Sequence, residues 1–99
     1  MRKARNNYPN RLFIARKRSG LRQKSVARRL GIKRDTQISF YETGRVAPSL
    51  ETALKLSVIY GVTVNELYKP LIGRIEQEVG TVEKTNLRTP TPVSRAFYL

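Results

Sequence analysis

The stretch from Leu21 to Gly44, LRQKSVARRLGIKRDTQISFYETG, constrains this chain more than any other. Val26, Ala27 and Leu30 recur at helical spacing. Gly31 then interrupts the pattern, where a chain reversing direction needs a residue that tolerates positive φ. In the second half Ile38 and Tyr41 fall on one side of a helix. Thr36, Ser39, Phe40 and Thr43 fall on the other, spaced i, i+3, i+4, i+7. The stretch therefore reads as two short helices joined by a tight turn. A short helix with one side in a core and the other mostly of small polar groups suits the major groove of DNA.

The charge balance agrees. Twenty Lys and Arg against seven Asp and Glu give a net charge of +13 on 99 residues. Self-repulsion on that scale is tolerable for a small protein whose partner is a polyanion. An anionic membrane is the rival partner. It asks for a strongly apolar amphipathic face with bulky Trp or Phe, which no segment offers. No apolar run reaches membrane-spanning length, and the basic N-terminus lacks the apolar stretch of a signal peptide. There is no cysteine for disulfide or thiolate chemistry, and no histidine for general-base work or metal ligation. The acids Asp35, Glu42, Glu51, Glu66, Glu76, Glu78 and Glu83 are scattered rather than paired. The expectation is a single small domain with no catalytic residues, no metal and no cofactor, in the cytoplasm.

Around the central stretch the chain divides into three parts. Residues 1–9 concentrate Arg2, Lys3 and Arg5 without an acid and read as a flexible basic arm, either a solvated tail or a segment that tracks DNA. Residues 10–69 carry the helical patterns. Asn10 suits the cap of a first helix with Leu12 and Ala15 facing inward and Leu21 beyond its end. Ser49 suits the cap of a fourth, with Leu50, Ala53, Leu56 and Tyr60 inward. Thr63 and Glu66 form a capping box for a short fifth helix, expected to end by Pro70. Residues 70–99 are expected to be a C-terminal extension. Leu71, Ile75, Val79 and Val82 have weak helical spacing, interrupted by Gly73 and Gly80, so that a short strand or a helix is expected to add to a dimer interface, followed by a disordered stretch ending Phe97-Tyr98-Leu99.

Residues 12–68 resemble the phage-repressor (Cro/repressor, Xre-type) helix-turn-helix family. The family run L-T-Q-x-x-L-A-x-x-L-G-V is met by Leu21, Gln23, Val26, Ala27, Leu30, Gly31 and Ile32. The run I-S-x-W-E-x-G is met by Ile38, Ser39, Tyr41, Glu42 and Gly44. The run P-S-L-x-x-L-x-x-L-A-x-x-L-G-V is met by Pro48, Ser49, Leu50, Ala53, Leu56, Tyr60, Gly61 and Val62. The resemblance implies an all-α fold, a compact five-helix lambda-repressor-like DNA-binding domain with the helix-turn-helix at helices 2 and 3. It also implies that Arg16 and Glu42 pair across helices 1 and 3, that Gln23 positions helix 2 on the DNA backbone, and that Arg45 meets a phosphate.

Two departures from the family matter. Its capping box at the start of helix 2 is replaced by Arg22 and Ser25, which loses a side-chain cap and sets Arg22 and Lys24 beside the helix end. Five residues, Lys33, Arg34, Asp35, Thr36 and Gln37, stand between Ile32 and Ile38 where the family has four. Asp35 is the expected cap of helix 3. The expected DNA-binding set is Arg22, Gln23, Lys24, Arg34, Thr36, Gln37, Ser39, Phe40, Thr43 and Arg45, with Phe40 directed at a thymine methyl.

The expected function is that of a sequence-specific transcriptional regulator, a repressor of bacterial or mobile-element origin that binds double-stranded DNA as a homodimer. Two alternatives use the same chain. An antitoxin would wrap a toxin, a protein partner, with residues 70–99. A nucleic-acid module without sequence preference, including an RNA binder, would want aromatic platforms that this chain lacks.

Overall fold

The protein is described here from a computed structural model, which covers residues 6–80. Arg2, Lys3 and Arg5 of the expected arm, and the stretch from 81 to 99, lie outside the described residues. Six helices follow in order: α1 Leu12–Ser19, α2 Gln23–Leu30, α3 Thr36–Glu42, α4 Leu50–Tyr60, α5 Val64–Leu67 and α6 Lys69–Val79. The all-α class and the helix-turn-helix at α2 and α3 are as expected. The sixth helix is an addition.

One residue from each of the first five helices fills the centre: Leu12, Val26, Ile38, Leu56 and Leu67 are all 1% exposed or less. Complete burial of such a side chain stabilises by roughly 1.5–3 kcal/mol, so these five tie five short helices into one cluster. None of the helices is long enough to be stable alone; the shared core holds them. Ala15, Ala27, Tyr41, Tyr60 and Tyr68 complete the cluster. The turn between α2 and α3 begins at Gly31, whose φ of 76° is left-handed, as the reversal requires.

Caps are set by local chemistry. The Asn10 carboxamide oxygen accepts from the Leu12 N–H, and the Ser49 hydroxyl accepts from the Thr52 N–H. Thr63 accepts from the Glu66 N–H, but Glu66 turns its carboxylate to Arg11 at 2.7 Å, so only half of the expected capping box forms. Asp35 occupies the cap position of α3 without a capping hydrogen bond; its backbone is already helical, at φ −76° and ψ −11°, so its side chain is poorly placed to reach the first N–H groups.

α5 ends at Leu67, by Pro70 as expected, and Pro70 itself sits in the first turn of α6, where its missing N–H has no partner to lose. Two expectations are corrected. Leu50 is 75% exposed rather than inward. On a helix of 3.6 residues per turn it lies about 90° round from the mean direction of Ala53, Leu56 and Tyr60. Residues 6–9 are not free: the Tyr8 N–H donates to the Gly44 carbonyl at 3.0 Å, and the Asn7 carbonyl accepts from Arg74 at 2.7 Å.

Candidate nucleic-acid interface

The expected DNA-binding residues lie on α2, the turn, α3 and the loop after it, so what fixes α2 against α3 fixes the surface. Glu42, the last residue of α3, is the hub. Its carboxylate accepts from Arg16 Nε at 2.5 Å, from Arg16 Nη2 at 3.3 Å and from Gln23 Nε2 at 3.0 Å. Arg16 also donates to the Leu21 carbonyl at 3.0 Å, at the bend between α1 and α2. The ion pair is almost wholly buried, with 9% and 5% of the two side chains exposed. A buried pair is worth keeping only when its spare donors and acceptors are satisfied, and here both partners have additional bonds. The hydrogen bonding to Glu42 raises the pKa of Arg16 above its usual value, against the opposing effect of burial. The result ties α1, the first residue of α2 and the end of α3 into one rigid unit.

Gln23 therefore has a different geometry from that expected. One N–H of its amide donates to Glu42 and its side chain is half-buried. The second amide N–H, the side-chain carbonyl oxygen and the backbone N–H remain for DNA.

The start of α2 stands uncapped. Arg22 has extended cap geometry, φ −92° and ψ 159°, but no side chain accepts from the first N–H groups. Free N–H groups at a helix start carry partial positive charge and suit an anion. Arg22 and Lys24 are exposed beside them, and neither has an ion-pair partner among the described residues.

On α3, Ile38 and Tyr41 are buried, which turns Thr36, Ser39, Phe40 and Thr43 outward. Thr36 and Thr43 are exposed; Gln37, Ser39 and Phe40 are half-buried; Arg34 is exposed in the turn. The Thr43 hydroxyl donates back to the Ser39 carbonyl at 3.0 Å, which leaves its methyl and lone pairs outward. Phe40 lies beneath Arg45, whose Cζ is 5.0 Å from the ring centroid. The set thus forms one side of α3, with Arg45 in the loop after α3 and Arg22 and Lys24 at the start of α2, which Gln23 ties to the end of α3.

Sequence reasoning missed the N-terminal clamp. Asn10 donates to the Tyr41 carbonyl at 2.9 Å and to the Tyr8 carbonyl at 2.7 Å, which satisfies the end of α3 from outside the helix-turn-helix. Gly44, at φ 78°, has the segment from Asn6 to Tyr8 laid against it: an added Cβ would meet Asn6 Oδ1 at 1.8 Å and the Tyr8 carbonyl at 3.0 Å. A glycine and an asparagine in the right places are signals of turns and caps, but neither names a partner across 31 residues.

Among the described residues no helix is long and apolar enough to cross a membrane, and no three His, Cys, Asp or Glu side chains cluster as metal ligands. The helix-turn-helix family model matches residues 12–67, more than half of the chain. The chain is similar to an uncharacterized HTH-type transcriptional regulator of Methanocaldococcus jannaschii, with 34% identity over 59 residues, 60% of this chain and 88% of that protein. No solved structure matches with significance.

Proposed function

The chain belongs to the helix-turn-helix family of phage-repressor (Xre) type, whose members bind DNA and regulate transcription, and from that membership we propose that it is a repressor that reads an operator as a homodimer. In this reading α3 enters the major groove and α2 rests on the backbone. Ser39, Thr36, Gln37 and Arg34 face base edges and their flanks. Arg22, Lys24 and Arg45 take phosphates, with Gln23 and Thr43 completing the surface. The supporting observation is the lock on Glu42: Gln23 and Arg16 hold the start of α2 to the end of α3, so the outward side of α3 is presented at a set angle. Preorganised donors lose little freedom on binding. Bound across a promoter, such a protein represses by occlusion.

The dimer is proposed through α6. This helix has no fully buried residue; Leu71 packs partly buried against the core, and Ile75 and Val79 follow it at i+4 and i+8. Ile75 and Val79 are 40% and 73% exposed. A second copy of the same stripe is the occupant of matching chemistry, and its two-fold symmetry would set two half-sites about 34 Å apart.

Footprinting on the DNA around its own gene should reveal a protected, nearly palindromic site. On that site Ser39→Ala is expected to lower affinity by about 1–3 kcal/mol while barely changing binding to scrambled DNA. Arg22→Ala and Lys24→Ala should weaken both DNAs alike, because phosphate contacts position without specifying. Equal losses on both DNAs for Ser39→Ala would remove α3 as the reader.

A further inference from the structure

We propose that Phe40 is a positioning residue, whose ring holds the guanidinium of Arg45 ready for a backbone phosphate of double-stranded DNA, rather than a contact to a thymine methyl. The inference rests on the phosphate role proposed for Arg45. Three observations carry it. First, Arg45 Cζ lies 5.0 Å from the Phe40 ring centroid, within the range of roughly 6 Å in which a ring face attracts a cation. Second, the backbone fixes both ends of the contact. The Phe40 carbonyl accepts from the N–H groups of Arg45 at 3.0 Å and Val46 at 3.4 Å, and the intervening Gly44 is pinned by the N–H of Tyr8. Third, Arg45 has no carboxylate partner among the described residues, so its charge is held in place without being neutralised.

Each point has a physical consequence. A long cationic side chain on a loop loses rotamer freedom when it binds; a ring beneath it removes part of that loss beforehand. A guanidinium lying on an aromatic face keeps its N–H edges free, and those edges match a phosphate bidentately. The ring face that carries Arg45 is closed to a thymine methyl. Phe40 is half-buried, so its outward surface is small to begin with. Arg45 and the cations at the start of α2, which Gln23 ties to the end of α3, then serve the same end of the reading side.

The test needs no knowledge of the operator, because a phosphate contact is felt on any duplex. Affinity and its salt dependence are measured for the full chain on a fluorescein-labelled mixed-sequence duplex two helical turns long. The variants are Phe40→Leu, Phe40→Tyr, Arg45→Ala, Arg45→Lys and the double Phe40→Leu, Arg45→Ala, each checked by thermal melting. Phe40→Leu keeps apolar bulk but removes the ring, and is expected to weaken binding roughly threefold to tenfold. Phe40→Tyr should bind as the parent does. Arg45→Ala should flatten the salt dependence by about 0.9 of a log unit per log unit of salt, and Phe40→Leu should then add nothing. Arg45→Lys, at an exposed position that does not endanger folding, should bind less well than the parent because a point charge does not stack as a planar fork does. The proposal is overturned if Phe40→Leu binds like the parent, if its loss multiplies with that of Arg45→Ala, or if Arg45→Lys loses nothing. Absence of salt-dependent binding by the parent chain would instead sink the DNA-binding reading itself.

Discussion

At the residue scale the buried polar atoms decide what is stable and what is merely present. Glu42 has three donors on it and Arg16 has three bonds of its own, so this buried charge pair is well satisfied. The hydroxyls of Tyr60 and Tyr68 are the opposite case: both are buried, and neither has a hydrogen-bond partner among the described residues. Burial pushes both phenols up to about 12, with the charge of Glu42 adding to the rise at Tyr60 and that of Tyr41 at Tyr68. The ordinary value of 10.0 applies once the chain unfolds. The folded state therefore holds protons that the unfolded state releases. This contribution is fully present below pH 10 and is lost as pH rises through about 12. Urea denaturation across that window should show stability falling. Tyr68→Phe should reduce the fall, and at neutral pH it should be neutral or stabilising by up to about 1 kcal/mol, since it removes an unsatisfied hydroxyl. A loss of stability in Tyr68→Phe would mean that its hydroxyl has a partner after all.

At the element scale α2 trades its own stability for charge. Arg22 stands at its cap with the backbone geometry of a capping residue and no capping bond, and Ser25 stands where a glutamate would complete a box. Introducing Arg22→Thr together with Ser25→Glu should raise stability by about 1 kcal/mol. The same change should weaken binding to every duplex, because it removes a cation and fills the anion-attracting helix start with a carboxylate. Melting temperature and salt-dependent affinity measured on one preparation would test both halves. A gain in stability with unchanged affinity would show that the start of α2 does not meet the backbone.

For the whole molecule, cations outnumber their partners: Glu51, Glu66 and Glu78 each form an ion pair, while Arg22, Lys24, Arg28, Arg34 and Arg45 have none among the described residues. A net charge of +13 favours association with a polyanion. Ile75 and Val79 of α6 are among the apolar side chains that a monomer leaves exposed, with Leu50, Leu54 and Val58 of α4. Ile75→Glu combined with Val79→Glu should leave the fold and its melting largely unchanged, since neither residue is buried. It should convert a dimer to a monomer in sedimentation equilibrium and lower affinity for the operator far more than for a mixed-sequence duplex. A dimer that survives both charges would place the interface elsewhere.

Periodicity and punctuation in the amino-acid sequence determined the two short helices with a tight turn between them and the inward residues Val26, Ile38, Leu56 and Tyr60, because a 3.6-residue repeat and a left-handed glycine act locally, while the class of fold was implied by the motifs that resemble the family. They also determined the cationic excess and the outward side of α3. The structure places Arg16 against Glu42 as the family pattern implies, because both ends sit at motif positions. What only the tertiary structure decided are pairings between distant residues: Gln23 on Glu42, Asn10 on the end of α3, Tyr8 on Gly44 and Arg45 over Phe40. Each joins groups whose own types suggest several partners, and packing of the other helices chooses among them. Leu50 is a different case: the 3.6-residue repeat itself puts it about 90° from the buried side of α4, and only its apolar type argued for burial.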